Sequence, residues 1–314
     1  MVEPKVSELG GKGASLLKLT QGQFPVPDGF IITTNGYNAF AGKLHLHDKY
    51  SDILKKDTLT LEDAERISLE IKELFQKSEF PTEYVDEMVA LLDKFKCNQF
   101  EGPNLLAIRS SATTEDLADA SFAGMQDTIL NVPIELEAVK KAVIQCWASL
   151  YTPRVLMYRF EKHFPLIDTA IAVVVQRMIP SEKAGVVFSC DPQSSSREHV
   201  SLDGVWGLGE TLVSGMVSTD HWLIRKHYPV DKKHRELKIV ESTINEQQFA
   251  YYTKPEGGTE KVMLEEKGKE ACFTEEEACY TCLIVLYLGL QNQRVCGEHR
   301  GVLPATHGHR VLHV

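Results

Sequence analysis

At 314 residues, 43% hydrophobic and 25% charged, the chain can bury one large core or two of ordinary size, which excludes a disordered or fibrous protein. A formal net charge of −10 with no arginine- or lysine-rich block excludes a general attraction to nucleic acid or anionic lipid, so any polyanion must be held locally. The longest apolar run, CYTCLIVLYLGL at 279–290, is too short to cross a bilayer, and seven scattered cysteines with no secretory pattern in MVEPKVSELGGKG predict reduced thiols in the cytoplasm.

Residues 5–40 read as a short helix after the glycines of LGGKGASLLKL, then a turn in FPVPDGF and a strand ending at Thr34. A helix is predicted from about Thr60 to Lys77, where Ala64, Ile67, Ile71, Leu74 and Phe75 recur at helical spacing and Thr60 with Asp63 forms a capping-box pattern. Pro81 separates it from a second stripe, Val85, Met88, Val89, Leu92 and Phe95. NLLAIRSSA predicts a strand, and ELEAVKKAVIQCWASLY a helix with Leu136, Val139, Val143, Trp147 and Leu150 inward. AIAVVVQRMI and AGVVFSC are unbroken β-branched runs, which suit strands buried on both faces or paired centrally. Another strand follows the glycine-rich GLGETLVSG, and residues 229–262 read as exposed hairpin or loop. Helices and strands are mixed, with neither internal repeat nor low-complexity linker.

Three segments set glycine or other small residues beside a charged or hydroxyl side chain: LGGKGASLLKL at 9–19, RSSATTEDLADASFAGMQDT at 109–128 and GLGETLVSG at 207–215. Such segments let backbone N–H groups approach an anion while the side chain adds charge, and phosphate is the obvious guest. GGKGAS is not a P-loop, because Gly13 stands where a hydroxyl should follow Lys12. GLGETL is not a dinucleotide fingerprint, because Leu212 replaces its third glycine. Taken singly, each cluster is more often a tight turn than a binding loop.

In this order the segments carry a specific resemblance. GGKGASLLKL, FPVPDGFIITT, RSSATTEDLADASFAGMQDTILNV, VVVQRMIPSEKAGVVFSCDP and GLGETLVSG resemble the N-terminal ATP-binding domain of the phosphoenolpyruvate synthase, pyruvate phosphate dikinase and rifampicin phosphotransferase family. The likeness runs from the first glycines to near Lys226 and is nearest the synthase and rifampicin branches. It implies an α+β ATP-grasp with nucleotide between two lobes, and ATP with Mg²⁺ as its ligands. In the complete family, ATP yields AMP, phosphate and a phosphohistidine.

Residue by residue, the resemblance places Lys12 near the phosphates; alone, it reads as a solvated loop lysine. Arg109 matches the catalytic arginine closing the strand, where a planar guanidinium forks onto phosphate oxygens. Its competing role is an ion pair with Glu115, Asp116 or Asp119. Gly124 and Thr128 match the loop that covers the phosphates, though Gly124 would equally serve a hairpin turn. Gln176 matches the position beside adenine, and a glutamine in so apolar a strand needs a partner in any case. Glu210 matches a group that orients phosphate or metal, with helix capping as its alternative.

After FTEEEACY the sequence departs from the family pattern. TCLIVLYLGLQNQRVCGEHRGVLPATHGHRVLHV lacks the segments that carry the magnesium-holding acid and amide groups, so the metal ligands are unknown. The expected domains are 1–185 and 186–270 for the two lobes, the second incomplete, and 271–314 for an atypical tail. The histidine-bearing domain that accepts phosphate is expected on a full-length relative, as a partner. This chain alone is expected to bind ATP without turning it over. The alternative is a non-catalytic, truncated interaction or regulatory fragment, while a carboxylate-activating ATP-grasp ligase leaves RSSAT and SFAG together unexplained. In the tail, Cys279, Cys282, Cys296 and His299 have a spacing close to that of a zinc site, against the ordinary alternative of buried free thiols.

Overall fold

The computed structural model describes residues 4–50, 58–97, 102–113, 116–117, 120–121, 127–165, 167, 169–227, 236–291 and 301–305. They form two units, the first comprising Met1–Gln21, Asp28–Met178 and Pro255–Gly257, the second Gly22–Pro27, Ile179–Lys254 and Gly258–Val314. Both are built from antiparallel sheets and helices, the α+β class expected. The units part at 178/179 rather than 185, because Lys183–Phe188 pairs with His199–Trp206 in the second unit's sheet.

The first unit holds a four-stranded sheet in the order Gly29–Ile32, Ile171–Arg177, Leu105–Ala112, Thr128–Pro133. Ile171–Arg177 lies inside the sheet and all seven of its residues are buried, as its unbroken apolar run requires. Residues 106, 108 and 112 of one strand and 171, 173 and 175 of its neighbour face the main core. Helices Leu61–Lys77 and Leu136–Ala148 close that core, burying Ile67, Ile71, Phe75, Val139, Val143 and Trp147. The first of these starts where its cap predicts, with Thr60 Oγ1 accepting from Asp63 N at 3.1 Å. Rings meet at the centre: Phe80 stacks on Trp147 at 5.4 Å, and the Tyr37 and Tyr151 hydroxyls lie 2.5 Å apart.

Three local expectations change. The first helix spans Val6–Gln21, so it begins before the glycines, with a break at Gly10. The first strand stops at Ile32 and a helix, Thr34–Ala41, follows, burying Thr34, Tyr37 and Phe40 at helical spacing. In helix Val85–Cys97, Met88, Leu92 and Phe95 are buried while Val89, at the margin of that stripe, is exposed.

The second unit carries a five-stranded antiparallel sheet in the order Glu236–Thr243, Asp220–His227, His199–Trp206, Lys183–Phe188, Gly301–Ala305. Val187, Val200, Leu202, Trp222 and Ile224 from this sheet form a second core with Cys272, Phe273, Ala278 and Cys282. The last two belong to helix Glu275–Gln291. A separate hairpin, Phe249–Thr253 with Thr259–Met263, occupies part of the stretch expected to be exposed. No helix among the described residues is long and apolar enough to cross a membrane.

Candidate functional site

The site begins at the broken first helix. Gly10 sits at φ +68°, and a Cβ there would overlap the carbonyl oxygen and Oγ of Ser111, so glycine alone permits this approach of helix to strand. The helix restarts one residue on. Ser111, fully buried, donates its hydroxyl to the Leu9 carbonyl at 2.8 Å and accepts from Gly13 N at 2.9 Å. Both capacities of that hydroxyl are used, and one N–H of the restarting helix gains a cap.

Lys12 is fixed by the same contact. Its Nζ donates to the carbonyl oxygen of Ser110 at 3.0 Å. Arg109, the preceding residue of the strand, is half-buried and registers with Thr128 on one side and Val174 on the other. Residues registered in a sheet project to the same face, so Arg109 and the exposed Thr128 share one. Ser110 points the opposite way, and its backbone N and its Oγ both donate to the Asp127 carbonyl, at 3.2 and 2.9 Å. Two strands are thereby tied together immediately before Thr128.

Gln176 registers with Ala107 and with Gly29, which places it on the Arg109 face, two residue pairs along. It is 1% exposed. Gly29 allows the neighbouring strand to close on it, since a Cβ there would come within 2.8 Å of the Val175 carbonyl oxygen. The structure thus brings Lys12, Arg109, Thr128 and Gln176 to the end and one face of a single sheet, away from the core. Gly124 lies outside the described residues.

Glu210 belongs to the second unit. It is exposed and opens the one-turn helix Glu210–Val213, with Gly209 before it. Its loop is anchored at Gly207, φ +75°, whose N–H donates to the Glu182 carbonyl at 2.7 Å, and at Leu208, whose N–H donates to the Tyr251 carbonyl at 2.8 Å.

Two cations and a hydroxyl on one rim suit a polyanion. Burial pushes the Asp127 carboxyl upward and the Lys72 charge works against it; burial likewise raises the Cys146 thiol, which makes it a poor nucleophile. Among the described residues no group of three or more His, Cys, Asp or Glu side chains is placed to hold a metal ion. Of the zinc-like spacing, Cys282 is buried in the second core and the thiol of Cys279 reaches the Leu237 carbonyl at 4.0 Å, while Cys296 and His299 lie outside the described residues. Sequence reasoning passed over Ser110 and Ser111, whose hydroxyls build the site; the doubled serine after Arg109 was the available signal. Asp127, the strand's other tie, gave none.

Comparison with known proteins follows the same lines. Residues 6–293 match the family described as pyruvate phosphate dikinase, AMP/ATP-binding domain, so helix Glu275–Gln291 falls inside the match rather than in a tail beginning at 271. A probable phosphoenolpyruvate synthase of Archaeoglobus fulgidus is 41% identical over 273 residues, covering 86% of this chain and 34% of the relative. A rifampicin phosphotransferase of Bacillus cereus is 38% identical over 258 residues, covering 81% and 28%. A phosphoenolpyruvate synthase of Pyrococcus furiosus is 32% identical over 293 residues, covering 82% and 34%. The chain spans about a third of the length of these curated relatives.

Proposed function

The chain belongs to the pyruvate phosphate dikinase AMP/ATP-binding domain family, and from that premise we propose that Lys12, Arg109 and Thr128 bind the phosphates of ATP. The observation that carries the reading is the Lys12 ammonium held 3.0 Å from the Ser110 carbonyl, beside Arg109 on a strand where Arg109 registers with Thr128. A compact ammonium follows a multiply charged ligand as it shifts, while a guanidinium forks onto two oxygens of one phosphate. Gly124 is assigned to the covering loop, where a missing side chain leaves room for the triphosphate. Gln176 is assigned to the adenine, whose neutral edge an amide can read.

Magnesium would arrive with the triphosphate and screen its charge, as phosphoryl transfer generally requires. No side chain is assigned as a fixed metal ligand, and Glu210 is kept as a carboxylate that orients phosphate or metal, since magnesium on a nucleotide needs only one or two carboxylates beside the phosphates. In the whole protein, the reading extends to a dikinase-type transfer in which ATP yields AMP, phosphate and a phosphohistidine borne elsewhere. The final acceptor, pyruvate or an organic hydroxyl, would bind outside this chain. Location in the cytoplasm belongs to the same proposal.

Calorimetric titration of the chain with ATP and Mg²⁺ tests this. Saturable one-site binding is expected, lost in Lys12→Ala and Arg109→Ala. Absence of any binding to the folded wild-type chain would replace this reading with a non-catalytic interaction fragment.

A further inference from the structure

On the core side of the first sheet, helices Leu61–Lys77 and Leu136–Ala148 pack together and leave an open cavity of about 430 Å³ between their outer surfaces. Lys72, Phe75 and Gln76 line it from one helix, and Lys141, Ile144 and Gln145 from the other. Each helix therefore offers the same set at the same spacing: lysine at i, an apolar residue at i+3 and an amide at i+4, on one face. Phe75 is fully buried beneath it, and the half-buried Ile144 and Ala148 supply its apolar floor.

Charge distinguishes these two lysines from their neighbours. On the same helices Arg66 pairs with Glu70 at 3.0 Å, Lys77 with Glu73 at 3.1 Å and Lys140 with Glu137 at 2.8 Å. Among the described residues, neither Lys72 nor Lys141 is in ion-pair contact with a carboxylate, the charge of Lys72 reaching Asp127 only at longer range, although the chain as a whole carries a net charge of −10. Two ammonium groups and two amides thus rim an apolar floor. An inorganic anion would use the ammonium groups alone and a neutral apolar molecule the floor alone, whereas an organic anion uses both.

We propose that this groove binds an organic monoanion with an apolar body, of the alkyl- or arylcarboxylate class, at a site separate from the nucleotide site. The carboxylate lies between Lys72 and Lys141 and accepts from the amides of Gln76 and Gln145, while the hydrocarbon covers Ile144 and Ala148. Separation follows from sheet alternation: these helices cover the face of residues 106, 108, 173 and 175, whereas Arg109 and Gln176 project from the other.

The test is calorimetric titration of the full chain with decanoate, with decanol as the neutral control, acetate as the control without an apolar body, and each titration repeated at saturating ATP. Decanoate is expected to bind one site whether or not ATP is present, more tightly than either control. Lys72→Gln with Lys141→Gln is expected to weaken it by about tenfold, the effect of losing two exposed charge pairs. Lys77→Gln, on the same helix but already ion-paired, is expected to change nothing. No decanoate binding, equal affinity for decanol, or displacement by ATP with full affinity retained in the double variant would each overturn the assignment.

Discussion

Gly10→Ala is the sharpest perturbation of the phosphate rim. At φ +68° a non-glycine residue carries about 1–2 kcal/mol of backbone strain. Its Cβ would also overlap the Ser111 carbonyl oxygen, which is backbone and cannot rotate away. Moving helix from strand then strains the two Ser111 hydrogen bonds, to Leu9 O and from Gly13 N, each worth about 1 kcal/mol. The expected loss is therefore about 3 kcal/mol. Gly42→Ala is the matched control: Gly42 is helical at φ −59° and an added methyl would meet nothing within 4 Å, so it should stabilise by about 0.5 kcal/mol. Urea unfolding followed by fluorescence measures both, and ATP affinity should fall in Gly10→Ala, because Lys12 sits two residues on. If Gly10→Ala unfolds at the wild-type urea concentration with its ATP affinity intact, the account of how Lys12 is positioned is wrong.

Four further outcomes are expected. Asp220, fully buried, accepts from the backbone of Asn245 at 3.0 Å and Cys272 at 2.8 Å, so Asp220→Ala should cost about 3 kcal/mol in urea unfolding by stranding both donors. The His221 imidazole is raised above its ordinary 6.5, chiefly by its 2.7 Å hydrogen bond to Asp203 and against burial, with the charges of Asp203, Glu241 and Asp191 adding to the rise. Its stabilising effect is thus fully present below pH 6.5 and disappears as pH rises through the folded value; His221→Gln should flatten that part of the stability profile. Iodoacetamide on the native chain should modify exposed Cys97, while Cys146 and Cys282, buried with raised thiol values, react only after unfolding, as peptide mass spectrometry would record. Thr60→Ala removes the cap on Asp63 N and should cost about 1 kcal/mol, read as a lower thermal midpoint.

What could be read from the sequence was local. Thr60 and Asp63 announce a helix start because the cap depends on residues three apart, and Ile171–Arg177 announces a central strand because burial on both faces admits no polar alternation. The family motifs named Lys12, Arg109, Thr128 and Gln176 without showing how they meet. That depends on pairing 98 residues apart, between the Gly10 break and Ser110–Ser111, which periodicity cannot see. The glycines of LGGKGAS signalled close approach, yet only the fold identifies Gly10 as the position that must be left-handed. The helix Thr34–Ala41 escaped because its apolar residues follow a strand directly, with Thr33 giving no side-chain cap. The His221–Asp203 pair required strand register, which no sequence pattern supplied.

The central claim is that Lys12 and Arg109 act on phosphate, and a ligand series tests it most directly. Affinities of wild type, Lys12→Ala and Arg109→Ala should be measured for ATP, ADP, AMP and adenosine in the same buffer with Mg²⁺. The account predicts that wild-type affinity rises with each phosphate added and that both variants lose this gain while still binding adenosine as the wild type does. Variants that weaken adenosine as much as ATP, or that leave ATP untouched, would contradict it.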